Sequence, residues 1–421
     1  MALQFITANS TGPGVRAGLG DVDFLYVAAG VSVVSLDTVA IVGIGSGHVV
    51  TMAGSVITGS DVRSAIELGN SDALDINQKL VVTAGGLVSG NFAVALLGAN
   101  SQLENHGTIS GGSIGAYMDS AAAGTTRILN SGTITARDFA IQTESVTTNV
   151  LTNLGLISAD VYSYFSFNVA SDSIINRGTM IGNISLGDGT DTYDGRGGSI
   201  IGTIYGGSGT DTFIAGNSAE NFDGGDGVDT LDFRAGAAVT AQLDGSDEGT
   251  GAALGDTYFS IENIIGSRAG ADTLTGSAEA NALLGLGGAD RINGAGGADV
   301  LAGGGGIDIL TGGTGNDVFQ FVRAVEGGDI ITDFTNVVGN DDRFRISAVG
   351  FGAGLVVGAL AATQFQIRAD NLAQDADDRF IFRTTDKTLW FDTNGNAAGG
   401  LTLIADLQAS ATMTAADILV F

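Results

Sequence analysis

The chain of 421 residues contains no cysteine, one proline, two histidines, and only 17 lysines and arginines against 46 acidic residues. Without cysteine it forms neither disulfide bonds nor thiolate metal sites. With a single proline and no three-residue glycine period it is not collagen-like. The formal net charge of −29 repels nucleic acid and anionic lipid and attracts cations. These absences favour metal ions as the stabilising cross-links.

Targeting segments are missing as well. The N-terminal stretch MALQFITANSTGPGV has neither a basic segment nor a long apolar segment, so no N-terminal signal peptide is predicted. No apolar run reaches the roughly 18 residues that a membrane span needs. Cytoplasmic residence and export by a route without a signal peptide both stay open on these grounds.

Glycine is abundant, at 68 residues, and the acids are concentrated in the second half. Residues 1–180 hold 13 acids and 6 bases, whereas residues 181–421 hold 33 acids and 11 bases. Glycine and aspartate together are typical of tight turns. Because hydrophobic residues still make up 44% of the chain, we predict a folded protein with acidic turns rather than a disordered polyanion.

The first half carries a loose repeat with the core apolar-x-Asn-x-Gly-x-apolar. Its clear copies are LENHGTI, ILNSGTI, LTNLGLI and IINRGTM, which contain Asn105, Asn130, Asn153 and Asn176. Short β-branched runs that recur at a period of roughly 20–25 residues predict a parallel β-solenoid with one coil per repeat. The asparagine suits a turn with left-handed backbone geometry or a stacked ladder. Unrelated β-hairpins in a sandwich are the alternative.

The second half carries nonapeptides of the form G-G-x-G-x-D-x-U-x, where U is large and apolar. Counting back from Asp317 in nines gives Asp308, Asp299, Asp290, Asn281 and Asp272, each followed two residues later by a large apolar residue. Such a pattern is typical of a parallel β-roll with six turn residues and three strand residues per unit. Two such units complete one turn of the roll, so Asp272, Asp290 and Asp308 are predicted to stack in one column and Asn281, Asp299 and Asp317 in another.

Stacked carboxylates about 5 Å apart repel by roughly 3 kcal/mol at an effective dielectric constant near 20. A hard divalent cation between turns reverses the sign, and calcium accepts carboxylate and carbonyl oxygens more readily than magnesium does. We therefore predict several Ca²⁺ ions and a roll that folds only with calcium. The predicted metal-binding residues are Asp191, Asp211, Asp229, Asp272, Asp290, Asp299, Asp308 and Asp317, with the turn glycines Gly285, Gly288, Gly294, Gly297, Gly303, Gly306, Gly312 and Gly315. Asn281 and Glu220 mark weaker positions.

From about Leu186 to Phe421 the chain resembles the RTX (repeats-in-toxin) family with its C-terminal type I secretion region. The resemblance rests on the nonapeptides, on the bridge GDTYFSIENIIGSRAGADTLTGSAEANALLG and on the tail DILVF. It implies export through a type I secretion channel by an uncleaved C-terminal signal, and calcium-driven folding outside the cell or at its surface. It covers a little over half the chain and leaves the N-terminal solenoid without a family.

The predicted fold class is all-β, in five segments. They are an N-terminal parallel β-solenoid (1–180), a first β-roll block (181–233), an intervening segment (234–265), a second β-roll block (266–320) and a small C-terminal β cap with the secretion signal (321–421).

No catalytic residues are predicted. His48 and His106 form no H-E-x-x-H motif, and Ser113 in GGSIG has no histidine after it. Arg137 and Asp138 are expected on opposite faces of a strand. Tyr117 and YSYF (162–165) suit either a sugar-binding platform or core and interface packing.

The sequence favours a secreted calcium-binding structural protein whose solenoid ends pair into a homo-oligomer or polymer, such as a filament, a surface layer or a biofilm matrix. The alternative is a polysaccharide-modifying enzyme or a glycan-binding adhesin with an extracellular polysaccharide as partner. Neither nucleic acid nor a membrane span enters either hypothesis.

Overall fold

The computed structural model describes residues 2–21, 23–59, 64–70, 75–144, 146–167, 169–245 and 249–421. The predicted segments 1–180 and 234–265 therefore include residues outside the described ranges. The first strands are β1 (Leu3–Ile6), β2 (Ser10–Gly12), β3 (Ala17–Leu19), β4 (Phe24–Val27), β5 (Ser32–Ser35), β6 (Ile41–Gly43), β7 (Val49–Met52), β8 (Ser55–Thr58), β9 (Ser64–Leu68), β10 (Lys79–Val82), β11 (Leu87–Leu97), β12 (Gln102–Asn105), β13 (Thr108–Asp119), β14 (Thr125–Asn130), β15 (Thr133–Ala136), β16 (Phe139–Thr143), β17 (Thr148–Asn153), β18 (Leu156–Ser166), β19 (Ser173–Asn176), β20 (Thr179–Ser185), β21 (Asp188–Gly189), β22 (Thr192–Asp194), β23 (Ser199–Ile201), β24 (Thr203–Gly209), β25 (Thr212–Ile214) and β26 (Asn221–Gly227).

Shorter strands follow, with single turns of helix between some of them. These strands are β27 (Thr230–Asp232), β28 (Thr240–Gln242), β29 (Thr257–Phe259), β30 (Asn263–Ile265), β31 (Thr273–Thr275), β32 (Ala282–Leu284), β33 (Arg291–Asn293), β34 (Val300–Ala302), β35 (Ile309–Thr311), β36 (Val318–Phe321), β37 (Asp329–Ile331), β38 (Asn336–Val337), β39 (Asn340–Asp341), β40 (Arg343–Ile346), β41 (Gly358–Ala359), β42 (Phe365–Arg368), β43 (Phe380–Arg383), β44 (Thr388–Asp392), β45 (Leu401–Leu407) and β46 (Ile418–Val420). The α-helical turn is α1 (Ala348–Phe351), and the 3₁₀ turns are Gly251–Ala253, Ala324–Glu326, Ala362–Gln364 and Ala415–Asp417.

The chain divides into two units. Unit 1 comprises Met1–Asp229 and Asp256–Ser260, and unit 2 comprises Thr230–Gly255 and Ile261–Phe421. The predicted boundary after residue 180 falls inside unit 1, and the intervening segment 234–265 is shared between the units. In both, β strands dominate and neighbouring roll or coil strands run parallel, as the register of each pair shows.

Unit 1 is a stack of coils, most of which contribute to three parallel sheets. One sheet contains β1, β4, β7, β10, β12, β14, β17, β19, β22 and β25 in that order. In this sheet each coil contributes an aliphatic residue that pairs with the corresponding residue of the next coil. The side chains of these residues are at most 2% exposed: Leu103, Ile128, Leu151 and Ile174. Alternation of buried and half-buried residues within each strand places the core inside the coils.

The repeated asparagines form a buried hydrogen-bonded ladder. Nδ2 of Asn105 donates to Oδ1 of Asn130 at 2.7 Å, Asn130 donates to Asn153 at 2.9 Å, and Asn153 donates to Asn176 at 3.0 Å. All four side chains are fully buried. None of the four has a positive φ, so the ladder, rather than left-handed backbone geometry, explains the repeat.

Coils shorten along unit 1. The hydrogen-bonded pair Asn105 and Asn130 has a sequence separation of 25, whereas the pair Asp172 and Asp191 has a separation of only 19. A second sheet, which includes β15, β18 and β20, ends at β23 in the described part of unit 1. The next described coil has strands in two sheets only, β24 and β25. The later coils of unit 1 therefore approach the shorter turn of a roll.

Unit 2 begins as a two-sheet roll. One sheet contains β30, β32, β34 and β36, and the other contains β31, β33 and β35. Residues on successive turns have a sequence separation of 18, as in Asp272 with Asp290. The middle residue of each strand is 0–1% exposed, as the nonapeptide pattern predicts: Leu274, Leu283, Ile292, Leu301, Leu310 and Phe319.

A cap covers the C-terminal end of this roll. Strand β45 pairs with the last strand of one sheet, β37, and continues into the antiparallel strands β44 and β43. Strand β46 pairs with β40 on the other sheet. Phe351, Phe380 and Phe391 fill the cap with ring centroids 4.9–6.3 Å apart.

These arrangements confirm the predicted all-β fold of a parallel solenoid and roll. The hairpin sandwich is wrong for residues 79–176, because the register of β10, β12, β14, β17 and β19 is parallel throughout. Within the described ranges, no helix has the length and apolarity that crossing a bilayer requires.

Replacing Asn130 by alanine should lower the free energy of unfolding by about 2 kcal/mol, because Nδ2 of Asn105 and Oδ1 of Asn153 each lose a buried partner. Urea unfolding followed by circular dichroism at constant calcium measures this. The exposed Asn217 provides the control variant Asn217→Ala, which should change stability by less than about 0.5 kcal/mol. Equal effects of the two substitutions would contradict a stabilising ladder.

Candidate metal centre

Aspartates of successive roll turns are joined by a repeated hydrogen bond. In one column of unit 2 the backbone N–H of Asp272 donates to Oδ1 of Asp290 at 2.7 Å, and that of Asp290 donates to Oδ1 of Asp308 at 2.8 Å. In the other column the N–H of Asp299 donates to Oδ1 of Asp317 at 2.9 Å. One oxygen of each accepting carboxylate is thereby satisfied by the preceding turn.

The second carboxylate oxygen has no such partner. In the described part of the chain, Oδ2 is buried without a hydrogen bond in Asp191, Asp211, Asp290, Asp299, Asp308, Asp317 and Asp329. These residues are 0–1% exposed. An unmet buried acceptor costs about 1–3 kcal/mol, and more when it is charged. A row of such oxygens therefore indicates a positively charged partner.

The first glycine of the nonapeptide leaves space beside this oxygen. A Cβ on Gly285 would collide with Oδ2 of Asp290 and with the carbonyl oxygen of Gly303. A Cβ on Gly294 would meet Oδ2 of Asp299, and also the Gly312 carbonyl oxygen. Carboxylate and carbonyl oxygens of different turns thus face the same small space, which only a residue without a side chain leaves open.

The other turn glycines serve the backbone. Gly288, Gly297, Gly306 and Gly315 have φ between 107° and 143°, which L side chains rarely adopt. A Cβ on Gly306 would also strike the carbonyl oxygen of Gly288 in the preceding turn. Their predicted role as carbonyl ligands stays a prediction.

Burial shifts the titration of these carboxyl groups upward. Loss of water raises the pKa of Asp290 to about 6, that of Asp299 to about 7 and that of Asp191 to about 8. The same cause raises the pKa of Asp308 and Asp317. The charged carboxylate is therefore unfavourable in these columns unless a cation lies beside it.

The donor set fits calcium. It consists of carboxylate and glycine carbonyl oxygens, the ligands that hard cations prefer, and it includes no nitrogen or sulfur of the kind zinc uses. Among the described residues, no three His, Cys, Asp or Glu side chains converge on one point. Backbone carbonyls must therefore supply a large part of the roughly 6–8 oxygens that calcium accepts.

Comparison with known families agrees with this donor set. The description that matches is the RTX calcium-binding nonapeptide repeat (4 copies), over residues 201–236, 268–301 and 302–320. These three stretches are RTX repeats, and residues 237–267 between them are not matched. The predicted recognition is thus confirmed, and the RTX repeats imply calcium binding.

Two further comparisons add less. The solution structure of the AlgE6R3 subunit from the Azotobacter vinelandii mannuronan C5-epimerase is 30% identical over 35% of this chain and 76% of that chain, with a TM-score of 0.24. At that TM-score the likeness supports no conclusion about fold or activity. Among curated proteins, none matches the chain.

The first residues of the two RTX columns in unit 2, Asp272 and Asn281, accept hydrogen bonds from nearby backbone N–H groups. Ser267 donates its backbone N–H to Oδ2 of Asp272 at 2.6 Å, and Val239 donates to Oδ1 at 2.8 Å. Ser277 likewise donates its N–H to Oδ1 of Asn281 at 2.7 Å. Ser267 precedes Asp272 by five residues and Ser277 precedes Asn281 by four. Both serines therefore lie at or next to the position that the first glycine occupies in the later nonapeptides. Asp272 therefore differs from the later aspartates, and its assignment as a ligand stays a prediction.

Two aspartates beyond the nonapeptides continue the columns. Asp308 donates its N–H to Oδ1 of Asp329 at 3.0 Å, and Asp317 donates to Oδ1 of Asp342 at 3.1 Å. Counting in nines missed both, because the sequence separations of these pairs are 21 and 25. The Asp-x-apolar triplet could have identified both aspartates from the sequence. Ile331 follows Asp329 by two residues, Phe344 follows Asp342 by two, and both are fully buried.

The carboxylate column of unit 1 also begins earlier in the chain than predicted, before the RTX match. Its backbone ladder runs from Asn149 through Asp172, Asp191 and Asp211 to Asp229 with N···Oδ1 distances of 2.6–3.0 Å. Sequence reasoning began this column at Asp191, because the unequal separations before it, 23 and then 19, hide the register.

Glu220, predicted as a weaker position, is held by hydrogen bonds. Its Oε2 accepts the N–H of Gly216 at 2.6 Å, and its own N–H donates to Oδ1 of Asp256 at 2.8 Å. Burial raises the pKa of Glu220 to about 7 and that of Asp256 to about 8. The longer side chain of Glu220 therefore accepts a hydrogen bond from the nearby Gly216. It does not leave an open carboxylate oxygen as the repeat aspartates do.

Four candidate catalytic side chains outside the RTX region are engaged with neighbours, whereas both ring nitrogens of His48 are buried without a hydrogen bond among the described residues. Arg137 and Asp138 form a two-pronged ion pair at 3.0 and 3.1 Å. The expectation that they point to opposite faces is wrong, because they lie between β15 and β16 rather than in a strand. Ser113 donates to Asp138 at 2.7 Å, whereas His106 contacts Ser131 at 2.6 Å.

Replacing Asp299 by asparagine should raise the calcium concentration at the midpoint of folding roughly tenfold, equivalent to about 1.4 kcal/mol, because a charged ligand becomes neutral. Calcium titration followed by circular dichroism measures the midpoint. Asp406, which is exposed on β45, provides the control Asp406→Asn with an unchanged midpoint. Equal midpoints for the two variants would exclude Asp299 from calcium binding.

Proposed function

We infer that this protein is a secreted calcium-binding structural protein that folds on export and assembles with further copies of itself at the cell exterior. The observation that carries the inference is the row of buried Oδ2 atoms without hydrogen bonds in the described residues. Such a fold is unfavourable where calcium is scarce and favourable where calcium is abundant. Outside a cell, calcium supplies the positive charge between turns, and the aspartates supply oriented oxygens.

Export by a type I secretion channel follows from the same requirement. A chain that stays unfolded until it meets calcium passes a narrow channel and then folds on the far side. The RTX repeats and the resemblance of the tail DILVF, Asp417–Phe421, to a type I secretion region support this route. In the folded chain Ile418–Val420 forms β46 beside β40, and Ile418 and Val420 are buried, so the complete signal is accessible only before folding.

The first coil of unit 1 supports self-assembly. Within the described residues, β1 pairs only with β4, β2 only with β5 and β3 only with β6. Leu3 and Phe5 are 63% and 61% exposed on this coil. Strands with one free edge and exposed apolar side chains template pairing with another chain. A homo-oligomer joined at this coil is therefore the core of the proposed filament, surface layer or matrix.

In millimolar calcium the protein should form multimers that dissociate when the calcium is chelated, as measured by light scattering after size-exclusion chromatography and by electron microscopy. Phe5→Lys should abolish them, because a charge on the free edge disfavours pairing. Leu154→Lys is the matched control, since Leu154 is 51% exposed and follows β17, several coils from the first one. A monodisperse wild-type monomer in calcium would contradict the assembly half of the proposal and leave calcium-driven folding intact.

Glycan binding is the second candidate, and one cluster in unit 1 favours it. The cluster, here called the aromatic cluster, consists of Phe139, Tyr162, Phe165 and Phe167, whose successive ring centroids are 5.9, 4.7 and 4.3 Å apart. It lies outside the core, whereas Tyr164 of the same segment is fully buried. Exposed aromatic faces pack against the C–H groups of sugars, and clustered ones mark interaction surfaces.

Acidic groups lie near the aromatic cluster. Tyr117 pairs with Gln142 and Gln142 with Phe165 across the same sheet, and the hydroxyl of Tyr117 donates to Glu144 at 2.9 Å. Like charges repel, so this surface favours a neutral polysaccharide over a polyuronate.

Affinity electrophoresis in gels containing a neutral glucan or alginate tests this candidate. The glucan should retard the wild-type protein, and Phe167→Ala should weaken retardation several-fold because Phe167 is 62% exposed. Phe259→Ala, at a residue 61% exposed outside the aromatic cluster, should not. Release of unsaturated products from alginate or pectin would instead indicate a polysaccharide-modifying enzyme, and no retardation by either polymer would exclude glycan binding.

A further inference from the structure

The column that contains Asp290 and Asp308 does not end with the nonapeptides. Asp329, the next acceptor after Asp308, receives the N–H of Asp308 on Oδ1 at 3.0 Å, as Asp308 receives that of Asp290 at 2.8 Å. Asp329 is fully buried. The family match ends at residue 320, so this rung lies outside the RTX repeats.

The second oxygen of Asp329 is open in the same way as those of the repeat aspartates. Oδ2 of Asp308 and Oδ2 of Asp329 are both buried without a hydrogen bond in the described residues. The rung therefore has the feature that marks the calcium positions within the repeats.

The opposite column ends differently. Asp342 is 1% exposed, and it occupies the corresponding place after Asp317. Its Oδ1 accepts the N–H of Asp317 at 3.1 Å, but its Oδ2 accepts the N–H of Thr335 at 2.8 Å. Both oxygens of Asp342 are therefore satisfied by the protein, whereas Asp329 keeps one oxygen for another partner.

The extra residues before Asp329 do not supply that partner. They form the 3₁₀ turn Ala324–Glu326, and the Glu326 carboxylate accepts the N–H groups of Val322 and Arg323 at 2.9 and 3.0 Å. Arg323 also donates its Nε–H to Glu326 at 2.9 Å. The insertion thus satisfies its own charges and leaves Asp308 and Asp329 facing each other across one turn.

Asp329 also lies where the roll meets the cap. It begins β37, and it pairs with Ala405 of β45. The N–H of Gly328 donates to the carbonyl of Ile404 at 2.9 Å. Repulsion between the carboxylates of Asp308 and Asp329 therefore acts directly on the strand that holds the cap.

We propose that Asp329 is a calcium ligand outside the nonapeptide repeats, and that calcium bound by Asp308 and Asp329 fastens the C-terminal cap to the roll. The proposal rests on calcium binding by the RTX repeats and adds a rung to it. Without calcium at this rung, β45 should separate from β37 more often, although the cap keeps its own aromatic core.

The test compares Asp329→Asn with Asp342→Asn in the full-length, calcium-loaded protein. Native mass spectrometry should show that Asp329→Asn holds one calcium ion fewer than wild type and that Asp342→Asn holds the same number. Hydrogen exchange of residues 401–407 should become faster in Asp329→Asn alone. Retained circular dichroism of both variants in calcium establishes that they fold.

The outcomes separate this proposal from the one it rests on. A wild-type protein that binds no calcium would overturn the proposed function itself. Equal calcium stoichiometry in wild type and Asp329→Asn would overturn the role of Asp329 alone. Loss of one ion with unchanged exchange at 401–407 would overturn the link to the cap, and loss of one ion in both variants would show that burial, rather than an open oxygen, determines binding.

Discussion

The structure depends on one electrostatic constraint, a carboxylate oxygen that is buried and has no donor. Each roll turn uses Oδ1 of its aspartate to accept a backbone N–H of the preceding turn, and this bond sets the stacking of the turns. The geometry that makes this bond also removes Oδ2 from water. A glycine such as Gly285 then keeps the space beside that oxygen empty of side chains. Hydrogen bonding and charge burial are therefore inseparable in these turns.

The two repeat types meet the same stacking problem with different chemistry. An asparagine amide has both a donor and an acceptor, so Asn105, Asn130, Asn153 and Asn176 satisfy one another without outside help. An ionised aspartate has acceptors only, so Asp290 and Asp308 need backbone donors for one oxygen and a cation for the other. The amide ladder therefore needs no cation to satisfy its side chains, whereas the open oxygens of the roll turns do.

Sequence periodicity predicted the fold class and the columns of residues 272–317, because an invariant spacing of nine residues fixes which side chains share a face. It failed where the spacing changed. Asp329 and Asp342 follow insertions of three and seven residues, and Asp172 precedes a coil of irregular length. The bonds of Ser267 to Asp272 depend on a turn conformation that spacing does not encode. Arg137 and Asp138 were misplaced because a strand was assumed where the chain turns.

The amide ladder and the carboxylate column also differ in what limits their length. Each added asparagine adds no charge to the ladder, so a stack such as Asn105 to Asn176 can lengthen at little electrostatic cost to the ladder itself. Each added aspartate turn adds a negative charge to a column in which neighbours are one strand spacing apart. The length of a carboxylate column is consequently bounded by the cations available at the moment of folding. The number of asparagine coils that duplication can add is therefore limited by packing. The number of aspartate turns is limited by the ionic composition of the surroundings.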